Sequence, residues 1–151
     1  MNVRRVVFGL GVAAVASVVA YAWLAARLAD PRPSVLGARL GMTADELRAR
    51  VDAQRPGTWT SSVIAGDWIL DRREGDVEAR FELHEGQLVA VRVEGPRSAG
   101  LVETPPYEVT PGSVAVRTVD HDHVRITLLS RACPTHHDEA EALVRAHVSA
   151  P

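Results

Sequence analysis

The chain contains no lysine: all 17 of its basic residues are arginine. With alanine and valine abundant, this bias marks a GC-rich bacterial genome, a statement about ancestry rather than chemistry. Cysteine occurs once, as Cys133, which excludes an intramolecular disulfide and leaves the fold to stand on its core. Excess charge is also missing. The formal net charge is −2 and arginines never run beyond pairs, so the electrostatic footprint of a nucleic-acid binder is absent. Aromatic residues make up 5% of the chain, so a core must be built from valine, leucine and alanine around Trp59, Trp68, Phe81 and Tyr107. No serine sits in a Gly-x-Ser-x-Gly elbow and no glycine-rich phosphate loop follows a strand, which removes the usual hydrolase and nucleotide signatures.

What is present begins at the start. Arg4 and Arg5 precede Val6 to Ala26, 21 residues without a charge. As a helix this run would extend roughly 31 Å, the hydrocarbon thickness of a bilayer. Residues 1–29 therefore read as a membrane anchor or as a cleaved signal, with cleavage after Ala22. Retention is favoured by the continuation through Trp23 to Ala26 and by Tyr21 and Trp23 at the position of an interfacial belt. No cysteine lies just after the run, the only one being the distant Cys133, so lipid acylation cannot supply the tether. The arginine bias places the N-terminus inside and the remainder outside an inner (cytoplasmic) membrane crossed once. Arg27, Arg32 and Arg39 on the other flank weaken that asymmetry and keep a cytoplasmic domain as the minority reading. Gly9, Ala13 and Ser17 form a small-residue stripe suited to a homodimer.

Residues 30–35 hold Pro31 and Pro33 and read as a linker, and 36–151 as one domain. Thr43 to Glu46 fits a capping box that opens a helix from Ala44 to about Ala53, with Met42 and Leu47 at the staple positions. Val77, Ala79, Phe81 and Leu83 alternate with charged or polar residues. Glu85-Gly86 turns the chain, and Leu88 to Val93 alternates again, which predicts a hairpin. Trp68 to Asp71 reads as a preceding strand. Gly95 to Gly112 contains four prolines and reads as an ordered loop. A second hairpin follows, with Val114, Val116 and Thr118 on one arm, Asp120 to His123 at the turn, and Val124, Ile126 and Leu128 on the return. Thr135 with Asp138 predicts the cap of a closing helix that carries Ala140, Leu143, Val144 and His147 on one face. The expected fold class is α+β: an N-terminal transmembrane helix, then an antiparallel sheet of about five strands with helices on one face. The pattern leaves open whether the strands form one sheet or two.

The residues that carry chemistry cluster late. His121, His123, Cys133, His136 and His137 are metal-ligand types. The strand between the hairpin turn and Cys133 separates the first two from the rest by about 24 Å, too far for one ion. His136 and His137 point about 100° apart on a helix. Cys133 and His136 remain as candidate metal ligands, set against solvated turn and cap histidines. Cys133 itself reads as a buried, inert thiol, with a Cys/His nucleophile as the competing reading. Asp71, Glu74, Asp76 and Glu78 alternate with Arg72, Arg73 and Arg80 and read as a solvated charged turn. Trp59 and Trp68 flank a polar Thr60-Ser61-Ser62 loop, where they are either core residues or partner contacts.

Leu40-Gly41-Met42-Thr43-Ala44-Asp45-Glu46-Leu47 resembles the opening of BamE-like (SmpA/OmlA) envelope domains, and Trp68, the Phe81 strand and the Gly86 turn follow in a compatible order. The resemblance covers residues 36–94. It implies an α+β fold with an assembly or scaffolding role and no enzyme activity. The lipidated cysteine of that family is missing here. The sequence thus leads to a non-enzymatic, membrane-tethered extracytoplasmic domain that binds an envelope protein and needs no cofactor. The alternative is a small-ligand or thiol/metal-binding module using Cys133 and nearby histidines.

Overall fold

The computed structural model describes residues 33–101 and 106–148. The chain divides into two units, Met1–Pro31 and Arg32–Pro151, and every described residue lies in the second. The expected membrane run Val6 to Ala26, with its Gly9, Ala13 and Ser17 stripe, lies outside the described residues. Among the described residues no helix is long and apolar enough to cross a membrane.

Helix α1 spans Ala44–Gln54 and starts where the sequence places it. The Glu46 N–H donates to Thr43 Oγ1 at 3.4 Å, and Glu46 Oε2 accepts from the Thr43 N–H at 2.9 Å. The capping box therefore satisfies two of the amide donors that a helix N-terminus otherwise leaves unpaired. Val35 is already buried, bridged to Ala38 under the helix.

Seven strands follow: β1 Thr58–Ile64, β2 Asp67–Glu74, β3 Val77–His84, β4 Gln87–Pro96, β5 Tyr107–Val109, β6 Ser113–Asp120 and β7 His123–Ser130. Helix α2, His137–Val148, closes the described chain. All strands belong to one open antiparallel sheet in the order β1-β2-β3-β4-β7-β6-β5. This corrects the expected five strands. The polar Thr60-Ser61-Ser62 stretch is no loop but the middle of β1, paired residue by residue with β2. Its hydroxyl and β-branched side chains suit an extended backbone even where they stay exposed. The other addition, β5, is a three-residue edge inside the proline-rich stretch.

The helices correct the expectation a second time, because they cover opposite faces. Phe81 pairs with Val91, Val91 with Leu128 and Leu128 with Ala115, forming one buried row that packs with Leu47 and Val51 of α1. Ala90, Leu129 and Val114 are each the sequence neighbour of a residue in that row. They point the other way and pack with Ala140, Leu143 and Val144 of α2. Beyond α2, among the described residues, that second face is open, polar on β1 and charged over β2 to β4.

Helix α2 begins one residue later than its expected cap implies. The Ala140 N–H donates to the His136 carbonyl at 2.9 Å, so His136 rather than Thr135 occupies the N-cap.

Candidate functional site

The two tryptophans singled out by the sequence part company. Trp59 turns inward: its indole N–H donates to Asp52 of α1 at 2.9 Å, and its ring lies 5.4 Å from that of Phe81. The Arg72 guanidinium lies 5.7 Å from the Trp59 centroid, buried, with Asp52 at 3.6 Å and Glu74 at 3.3 Å. Gly57 makes room for it, since a Cβ there would fall 2.7 Å from the Arg72 guanidinium carbon. This cluster fastens α1 to the sheet. Trp68 stays outside, 51% exposed, beside its cross-strand partner Val63 at 61%, and Ile64 follows at 59%. These side chains crown the β1–β2 hairpin, whose Ala65 and Gly66 both take positive φ, 53° and 94°. Two left-handed residues in sequence make the tight turn that matches strand twist.

The charged face holds an open cavity of about 850 Å³, lined among others by Thr58, Thr60, Asp71, Arg73, Arg80 and Arg125. Its arginines are already engaged: Arg80 with Asp71 at 2.8 Å, Arg125 with Glu94 at 3.3 Å, and Arg73 with Glu78. The hydrogen-bonded Asp71 carboxylate, and its charge, raise the Arg80 pKa further. Glu74 of the expected charged turn pairs with Arg72 and with Arg55. The solvated ion-pair reading fits Asp71 and Glu78, whereas Glu74 ends strand β2 and holds the buried Arg72, so the expected exposed turn does not begin at Arg72.

Where this face meets the start of α2, three ligating side chains converge. β7 ends beside the first residues of β4, and β4 begins beside the last residues of β3. The segment 131–136 therefore carries Cys133 and His136 to His84 at the end of β3. Cys133 Sγ lies 3.2 Å from His84 Nδ1. The His84 and His136 rings stack with centroids 5.3 Å apart at 27°. One donor atom from each of His84, Cys133 and His136 lies within 4.8 Å of the others. Cys133 and His136 are each 6% exposed.

Carboxylates stand behind both imidazoles. His84 Nε2 is 3.3 Å from Asp67 Oδ2, across the β2–β3 pair. The tautomer with its proton on Nε2, facing that carboxylate, would present the Nδ1 lone pair to the thiol. His136 Nε2 lies 3.2 Å from Glu82 and Nδ1 3.6 Å from Glu139. Arg92 bridges the two, pairing with Glu82 and reaching Glu139 at 2.7 Å. His136 Nε2 is buried and, despite the nearby Glu82, makes no hydrogen bond.

Of the five candidate ligands noted in the sequence, the fold joins Cys133 and His136 and leaves out the rest. His121 is almost fully exposed in a turn with φ 43°, His123 is exposed at the start of β7, and His137 Nδ1 meets the Arg131 carbonyl at 2.9 Å. His84 escaped the sequence reading because it sits 49 residues from Cys133 and looks like one more outward polar position of an alternating strand. No spacing rule reaches it, since the ligand pair depends on which strands become neighbours. Compared with known proteins, the chain matches no protein-family model, no curated protein and no solved structure.

Proposed function

We propose that residues 33–148 form a non-enzymatic interaction domain of a bacterial cell envelope, held at the inner membrane by the uncharged run Val6 to Ala26. The docking element is the edge of β1, which pairs only with β2 among the described residues, together with the hairpin tip. The observation that carries this reading is the inequality of the two sheet edges. Natural sheets blunt their edges with short strands, charges or prolines. β5 does so, with three residues between Pro106 and Pro111. β1 does not: its seven residues, Thr-Trp-Thr-Ser-Ser-Val-Ile, include neither charge nor proline. Exposed Val63, Ile64 and Trp68 add an apolar anchor at its end. Such an edge suits an extended, uncharged partner strand that adds to the sheet by backbone hydrogen bonds and seats its side chains against the tip. The resemblance of residues 36–94 to BamE-like envelope domains supports a role in assembly.

A photo-crosslinking side chain at Val63, compared with one at Glu108 on the blunted edge, tests the reading in intact cells. A defined envelope protein captured from Val63 and lost in a Ser61→Lys background is the expected result. The same abundant proteins captured from both edges would overturn it.

A further inference from the structure

We infer that His84, Cys133 and His136 form a binding site for one zinc-class divalent ion. The inference goes beyond the docking role of β1 and is independent of it. Tetrahedral zinc holds sulfur at about 2.3 Å and nitrogen at about 2.0–2.1 Å, which puts its donor atoms roughly 3.4–3.6 Å apart. The three donors here lie within 4.8 Å of one another, with one pair at 3.2 Å. Small side-chain rotations bring them to that spacing. The donor set is also selective: a thiolate with two imidazoles suits zinc, whereas calcium and magnesium take oxygen ligands.

Three further features belong to a metal site rather than to an ordinary buried thiol. Ligating histidines usually pass their second ring nitrogen to a carboxylate, which fixes the tautomer and raises ligand basicity. Asp67 stands in that place for His84, and Glu82 and Glu139 flank His136. His136 Nε2 faces the Glu82 carboxylate at 3.2 Å without making a hydrogen bond to it, so turning the ring toward an ion breaks no hydrogen bond of that nitrogen. Three carboxylates surround the rings against the single guanidinium of Arg92, and this local excess of negative charge favours a dication. Three protein ligands leave a fourth position for water or for the nearby Glu82.

The full chain, purified in detergent with its thiol reduced and no chelator present, should bind cobalt(II) in a 1:1 ratio. The complex should show a sulfur-to-metal charge-transfer band in the near ultraviolet and lose it when zinc is added. Cys133→Ser should remove the band. His84→Ala and His136→Ala should each weaken binding at least tenfold, and Asp67→Asn about 10- to 100-fold, the usual effect of losing an outer-shell partner. His121→Ala and His123→Ala, outside the cluster, should change nothing. Absence of stoichiometric cobalt, or a band that survives Cys133→Ser, would overturn the assignment. So would a thiol alkylated equally fast with and without zinc, which would point to a Cys133–His84 nucleophile pair instead.

Discussion

The two faces of the sheet solve the same packing problem with unequal means. Under α1 lies the larger core, in which Leu47, Val51, Leu70, Phe81, Val91, Ile126 and Leu128 are buried together, and Trp59, Asp52 and Arg72 lock the helix in place. Under α2 the buried cluster is Ala90, Val114, Val116, Leu129 and Ala140. Its helix start rests on a polar assembly of Cys133, His84, His136 and their carboxylates. One face is stabilised by burial of many large apolar side chains. The other has a small apolar patch at one end and ligating groups at the other. The difference teaches that a bound ion would do most for α2, where burial does least.

The largest effect should come from breaking the strong face. Phe81→Ala removes the centre of the α1-side core and should cost about 3–5 kcal/mol in denaturant unfolding, enough to unfold much of a marginally stable domain. Loss of less than 1 kcal/mol would show that the two faces are more equal than their buried residues indicate. Next, zinc at about 100 times its dissociation constant should raise the unfolding free energy by about 2.7 kcal/mol, and Cys133→Ser should abolish the gain. Hydrogen exchange should place the added protection in α2 and the end of β3, with little change in α1. Uniform protection would dissolve the contrast.

The smallest effect concerns the cap of α1. Thr43→Ala should cost about 1 kcal/mol, read as a lower unfolding midpoint. Hydrogen bonds from the Thr43 backbone and side chain hold the Glu46 carboxyl below its ordinary pKa. A carboxyl lowered in the folded state stabilises above its unfolded pKa and ceases to do so as pH falls through the folded value. Thr43→Ala should therefore destabilise somewhat more at neutral pH than in strong acid, where the loss of the Glu46 N–H to Thr43 Oγ1 cap bond still separates the two proteins. An equal difference across that range would remove Glu46 from the account.

Much of the scaffold was legible one segment at a time. Thr43 and Glu46 announced α1, the alternation from Val77 to Val93 announced β3 and β4, and Val114 to Leu128 announced β6 and β7. β1 was not legible because Thr60, Ser61 and Ser62 bury nothing on either face, and the strand exists through its pairing with β2. β5 was hidden by the prolines around it, which keep it short without forbidding an edge position. Cys133 and His136 could be named as a spaced pair, but His84 and Asp67 could not. The solvated reading of the histidines held for His121 and His123 and not for His136.

The sequence by itself determined the local periods, the helix cap, the turns, the absence of any disulfide and the near-neutral charge. These depend on residues within a few positions of one another, where backbone geometry dictates which side chains share a face. Only the tertiary structure decided that β4 pairs with β7, that the two helices lie on opposite faces, and that His84 meets Cys133. Those outcomes rest on strand neighbours and on which buried set each helix covers. A two-residue period marks that a strand has two faces, while the partner that covers each face is chosen by packing across the whole chain.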